Sequence, residues 1–203
     1  KETAKIFEEQ LIKQLKELGM EKSKFVVNIE SIDNVSDSFE IRDRLTPNGY
    51  DIIEFMISTN PGEPVKPLSK IISGGEMSRI MLAFKTILAQ VDNIPTLIFD
   101  EIDVGISGRI AHVVGEKMGN ISRSRQVICV THLPQIAAMA DNHYKIEKLY
   151  VGEYTRTMAS KLDKRQRQEE IARMTGGRTL SKANMEHASE LIRMAQEYKN
   201  KFS

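Results

Sequence analysis

The chain has 203 residues, 40% hydrophobic and 28% charged, which supplies enough apolar material for a core and argues against global disorder. Its 29 Lys and Arg nearly balance 28 Asp and Glu, so a uniformly basic nucleic-acid binder is not supported; aromatic residues at 6%, with no Trp, likewise argue against a base-stacking surface. The single cysteine, Cys129, excludes an internal disulfide and a cysteine-built zinc site.

Residues 1–18 predict a helix. Ala4, Phe7, Leu11, Leu15 and Leu18 recur at spacings of three and four, and Gly19 supplies a stop. That stripe fits an ordinary amphipathic helix and equally the last turns of a coiled coil entering from upstream. Phe25 to Ile29 and Tyr50 to Ile57 predict strands, the second with Ile53, Phe55 and Ile57 on one face, and Asn48-Gly49 is a turn signal between them. Asn60 to Pro67 reads as an irregular loop. Glu76 to Gln90 predicts a helix with Ile80, Phe84, Ile87, Leu88 and Val91 as its apolar stripe.

Thr96 to Phe99 and Val127 to Val130 are short apolar runs, expected to be strands buried on both faces. Between and after them, Gly108 to Met118 and Pro134 to Ala140 predict helices, the latter with Pro in its first turn. His143 to Leu149 and Thr155 to Leu162 predict later strands. Arg165 to Met174 and Ser181 to Tyr198 predict closing helices, divided by Gly176-Gly177. The alternation of strand and helix implies an α/β fold with a mixed, partly parallel sheet flanked by helices. No apolar run nears the ~18 residues of a membrane span and no signal peptide is visible, so the expected setting is reducing and cytoplasmic, away from membranes. The chain opens on Lys1 and is read as a piece of something longer.

Three motifs sit at the ends of these elements. Ser73-Gly74-Gly75-Glu76-Met77-Ser78-Arg79 stands at a helix start, and Ser73 with Glu76 fits a capping box. Capping leaves the paired glycines unexplained, whereas missing side chains let backbone N–H groups approach an anion at the positive end of the helix dipole. That second reading requires the amides of Gly74 and Gly75 to be uncovered. Thr96-Leu97-Ile98-Phe99 runs straight into Asp100 and Glu101, where one carboxylate can hold magnesium through water and the other can orient or deprotonate an attacking water. A chain merely turning polar as it leaves the core is the plainer alternative. Thr131-His132-Leu133-Pro134 follows the next strand; if the strands are parallel neighbours, His132 stands at the same sheet edge, as a phosphate contact or as a helix-start cap. Cys129 reads as inert packing, and His112, His143 and His187 as structural or solvated.

In this order the motifs resemble the signature, Walker B and switch-histidine segments of an ABC-type ATPase head. Ile72 to Ala83, Phe99 to Gly108, Val130 to Ala137 and Ile171 to Gly177 further resemble the RecN family of bacterial DNA repair proteins, relatives of SMC proteins. The resemblance implies an α/β fold, the C-terminal lobe of an SMC-type head over residues 21–203, with residues 1–20 ending a coiled-coil arm. It implies ATP and magnesium as cofactors. Ser73, Gly74, Gly75 and Glu76 would contact nucleotide held by a second head, Asp100 would hold the magnesium shell, and Glu101 and His132 would be catalytic. Asp103, Gly105 and Ser107 would belong to the D-loop that crosses the dimer interface, although Ser107 stands where many D-loops carry Asp. Met77 replaces the Leu of many signatures, nearly conserving volume.

No G-x-x-x-x-G-K-[ST] phosphate loop occurs in the sequence. In the family that loop lies in an N-terminal half joined through a long coiled coil, so the implied partners are that half, a second head and, through the whole protein, DNA. Arg123, Arg125, Lys161, Lys164, Arg165 and Arg167 are candidate phosphate contacts or a solvated charged face. The implied function is ATP-driven dimerisation in double-strand-break repair at the nucleoid. The alternatives are a nucleotide-gated DNA clamp with little catalytic role, or a fragment of another SMC-type head.

Overall fold

The computed structural model describes residues 1–30, 47, 49, 51–71, 73–88, 93–151, 154–176 and 180–201. The expected contributions of Asn48, Tyr50, Ile72, Gln90, Val91 and Gly177 lie outside the described residues. The chain divides into two compact units, Lys1–Ile87 and Leu88–Ser203.

The first unit opens with α1 (Glu2–Glu17), ending at Leu18 and a left-handed Gly19. Strands β1 (Lys24–Glu30), β2 (Ile52–Ser58) and β3 (Lys66–Pro67) form an antiparallel sheet in that order, with Phe25 opposite Ile57 and Val27 opposite Phe55. A short 3-10 turn, Leu68–Lys70, leads toward α2 (Gly74–Ile87). The predicted stripe of α1 is the inward one: Leu11, Leu15 and Leu18 are fully buried. Phe7 of α1, Phe25 of β1, Phe55 of β2 and Phe84 of α2 form one aromatic cluster, with Phe7 and Phe84 centroids 5.3 Å apart and Phe25 edge-on to Phe84 at 5.8 Å. Such pairs contribute about 0.5–1.5 kcal/mol each beyond area burial, so this cluster ties helices and sheet together. A carboxylate oxygen of Glu8 accepts from the Val27 N–H at 2.7 Å, fastening α1 to β1.

The second unit holds the parallel pair β4 (Thr96–Phe99) and β5 (Gln126–Cys129), with α3 (Gly108–Ile121) between them in sequence. Next come α4 (Pro134–Met139), the antiparallel hairpin β6 (Tyr144–Val151) and β7 (Tyr154–Lys161), then α5 (Lys164–Gly176) and α6 (Lys182–Asn200). Ala137, Ala138 and Met139 of α4 pack with Ile171 and Ala172 of α5 and Ala188, Leu191 and Ala195 of α6. The many alanines let these helices approach closely, and Gly119 does the same for α3: a Cβ there would meet Met139 Cγ at 3.2 Å. Reciprocal bonds cap α5, Gln166 N donating to Asp163 Oδ1 at 2.8 Å and Asp163 N to Gln166 Oε1 at 3.0 Å.

One expectation is corrected here. The β4–β5 pair is not buried on both faces: Ile98 is 70% exposed and Val130, just past β5, 57%, while Leu97 and Phe99 are buried. Side chains alternate across a strand, and within this unit only one face of the pair is covered. Cys129 is accordingly only partly buried. No helix among the described residues is long and apolar enough to cross a membrane.

Candidate functional site

The first motif lies in the first unit. Its glycines do not precede the helix but form its opening two residues, and Ser73 Oγ accepts from the Glu76 N–H at 3.4 Å as the capping reading expects. Ser73 and Gly74 are exposed, but Gly75 is buried. Of the pair, Gly74 is open at the helix tip and Gly75 lies behind it. The reason is helical geometry: Gly75, Arg79 and Ala83 are spaced by four and share the inward face. Burial lowers the Arg79 pKa, the charge of Glu76 opposing that shift.

The second and third motifs lie in the second unit, at the carboxyl ends of paired parallel strands. Phe99 stands opposite Cys129, and the Val130 N–H donates to the Phe99 carbonyl at 3.0 Å, so Asp100–Glu101 and Thr131–His132 leave the same end of the sheet. This is the edge at which open α/β sheets collect ligands. Asp100 and Glu101 are both exposed, and the Glu101 N–H donates to Asp100 Oδ1 at 2.9 Å. Glu101 has φ 55, the only non-glycine residue with positive φ among the described residues. A long side chain held there costs on the order of 1–3 kcal/mol, a strain that recurs at functional sites.

The chain then turns, Val104 N–H donating to the Glu101 carbonyl at 3.2 Å, with Ile102 fully buried beneath. Gly105 takes φ 74, a conformation that glycine supplies without steric cost. Of the expected D-loop, Val104, Gly105 and Ser107 are exposed, whereas Asp103 points inward. Asp103 Oδ2 accepts from Thr131 Oγ1 at 2.6 Å and from the His132 N–H at 2.7 Å, and lies 2.9 Å from His132 Nδ1. This contact was not legible in the sequence, because residues 103 and 131 meet only through strand register. The His132 side chain is 73% exposed above that buried carboxylate. It is no helix cap, since Leu133 occupies the N-cap of α4.

Burial, with the charges of Asp103 and Asp100 in support, pushes the Cys129 thiol up to about 12, which agrees with inert packing. Among the described residues no group of three or more His, Cys, Asp and Glu is arranged to hold a metal ion. Magnesium keeps several waters and takes one or two carboxylates, so the exposed Asp100 and Glu101 fit a water-mediated ion but not an all-protein cage. Of the basic candidates, Arg165 pairs with Glu169 at 2.9 Å and Arg167 turns inward.

No family model matches the chain. A protein named DNA repair protein RecN from Halalkalibacterium halodurans is 45% identical over 199 residues, 98% of this chain. Proteins of the same name from Treponema pallidum and Bacillus subtilis are 48% and 41% identical, over 88% and 97% of this chain. Over nearly its whole length the chain is similar to a segment of proteins named RecN. It spans about a third of the length of those RecN relatives, 34%, 30% and 35% respectively. In fold, the chain is similar to a crystal structure of the Smc head domain with a coiled coil and joint from Pyrococcus yayanosii, with TM-score 0.51 and 19% identity, covering 83% of this chain and 29% of that one. The α/β head-type fold expected from the motifs is thus present.

Proposed function

We propose that this chain is the C-terminal half of an ATP-hydrolysing SMC-like head that dimerises on ATP and acts in DNA double-strand-break repair. Residues 1–20 would end a coiled-coil arm and residues 21–203 would form the half-head. The observation that carries the reading is the sheet edge: an exposed acidic pair follows β4 while an exposed imidazole follows its parallel neighbour β5. The 45% identity to a protein named for DNA repair supports the biological setting.

In this reading Glu101 orients and deprotonates the attacking water, and His132 contacts the γ-phosphate. Asp100 would hold magnesium through water; when bound, the ion neutralises charge building on the phosphates. Ser73, Gly74 and Glu76 at the tip of α2, with Gly75 behind them, would meet nucleotide held by a second head. Gly105 and Ser107 would lie along that dimer interface. Because the triphosphate contact at the α2 tip exists for ATP and vanishes for ADP, hydrolysis would reopen the dimer. The phosphate loop would come from the N-terminal half of the same head, so the isolated chain would neither bind ATP tightly nor turn it over. DNA would be engaged by the full-length protein in the cytoplasm, at the nucleoid.

The test uses the full-length protein. Glu101→Gln should abolish turnover and accumulate a closed, ATP-bound dimer, while Ser73→Arg should block closure and leave ATP binding by the monomer intact. Undiminished hydrolysis by Glu101→Gln, or equal ATP-dependent dimerisation by Ser73→Arg and wild type, would reject the assignment.

A further inference from the structure

We infer that Asp103 is a positioning residue for the hydrolysis, fixing the ring of His132 and aiming its Nε2 outward at the nucleotide phosphate; this rests on the phosphate role proposed for His132. The geometry begins with a single oxygen. Asp103 Oδ2 receives the Thr131 hydroxyl at 2.6 Å and the His132 backbone N–H at 2.7 Å, and stands 2.9 Å from His132 Nδ1. A carboxylate oxygen only accepts, and its closeness to Nδ1 favours the ring state that carries a hydrogen there. The charge held beside one ring nitrogen thereby biases the direction in which the other faces.

Exposure divides the two side chains sharply. That of Asp103 is 5% exposed and that of His132 73%, so an imidazole standing in solvent is anchored from beneath. Without the anchor the ring would rotate among its rotamers, and a misplaced functional group loses rate without losing substrate affinity. The support is itself supported. Thr131 Oγ1 donates to Asp103 while accepting from the Leu133 N–H at 3.0 Å, which pins the loop that carries His132. Asp103 reaches this place because the left-handed Glu101 swings the chain inward and Ile102, fully buried, holds the turn. The residue proposed as base and the residue proposed as phosphate contact are thus set by one turn, Glu101 at its outer corner and Asp103 at its inner end.

A loop staple alone would produce the same contacts, so the experiment must separate stapling from positioning. Steady-state ATP hydrolysis by the full-length protein is measured for His132→Ala, Asp103→Ala and the double variant, with KM determined for each. Asp103→Ala should lower kcat about 10- to 100-fold, the range for removing a partner that orients a functional imidazole, and change KM less than about threefold. The double variant should be no slower than His132→Ala, because Asp103 acts through that ring. Asp103→Asn, which keeps one acceptor oxygen, should recover most of the loss, and Asp103→Leu carries the same cycle where the alanine variant does not fold. Multiplying losses in the double variant, or wild-type kcat in Asp103→Ala, overturn the inference alone. Wild-type turnover by His132→Ala overturns the phosphate role of His132 and the inference with it.

Discussion

Arg167 on α5 donates through Nη2 to the carbonyl of Ala138 on α4 at 2.7 Å, so a cation that the sequence offers to DNA is spent on holding two helices together. Burial lowers the pKa of its guanidinium, the charge of Asp141 opposing that shift. Arg167→Ala should destabilise the protein by about 1.5–3 kcal/mol, the range for a hydrogen bond from a charged donor. Thermal unfolding checks this, and the slope of DNA affinity against salt should stay unchanged. A shallower slope would return Arg167 to the phosphate contacts.

Glu101 pays for its position in backbone strain, which a pair of substitutions isolates. At φ 55 an alanine keeps the Cβ clash and a glycine removes it. Glu101→Gly should therefore be about 1 kcal/mol more stable than Glu101→Ala, reversing the usual order in regular structure. Denaturant unfolding of the two variants decides it, and an alanine variant of equal or greater stability would contradict the left-handed assignment.

The thiol of Cys129 offers a probe of the site's packing. Held up at about 12, it is almost wholly protonated at neutral pH and a poor nucleophile. Alkylation at pH 7.5 should be far slower in the native protein than in denaturant. Asp103→Ala, which removes one of the charges that raise the thiol, should speed it; a native rate matching the unfolded one would show the thiol to be uncovered.

His143 predicts an acid-sensitive step in stability. Its pKa is lowered first by burial, then by the Arg167 charge, with Glu170 opposing. A histidine with a depressed folded pKa binds its proton more readily when unfolded. Its contribution is complete above the unfolded value, about 6.5, and is lost as pH falls from there toward the folded value. His143→Gln should flatten the dependence of unfolding free energy on pH across that window. Glu170 acts lower: its carboxyl is depressed, chiefly by the hydrogen bond from Arg173, so its contribution is lost as pH falls through the acidic range. An unchanged profile in His143→Gln would show that another group governs the step.

The stripe of Leu11, Leu15 and Leu18 on α1, the apolar runs that became β4 and β5, and the polar words closing each strand were legible because helix and strand periods are written locally. The capping of α2 by Ser73 was legible for the same reason, since its partners are three residues apart. Only the tertiary structure decided that Gly75 turns inward, that Ile98 faces outward, and that Asp103 leaves the loop surface to hold Thr131 and His132. Residues 103 and 131 are neighbours because two strands pair in parallel with Phe99 opposite Cys129. A local pattern names the groups that reach a sheet edge; the register and the covering of that edge decide which of them touch, which is a property of contacts distant in sequence.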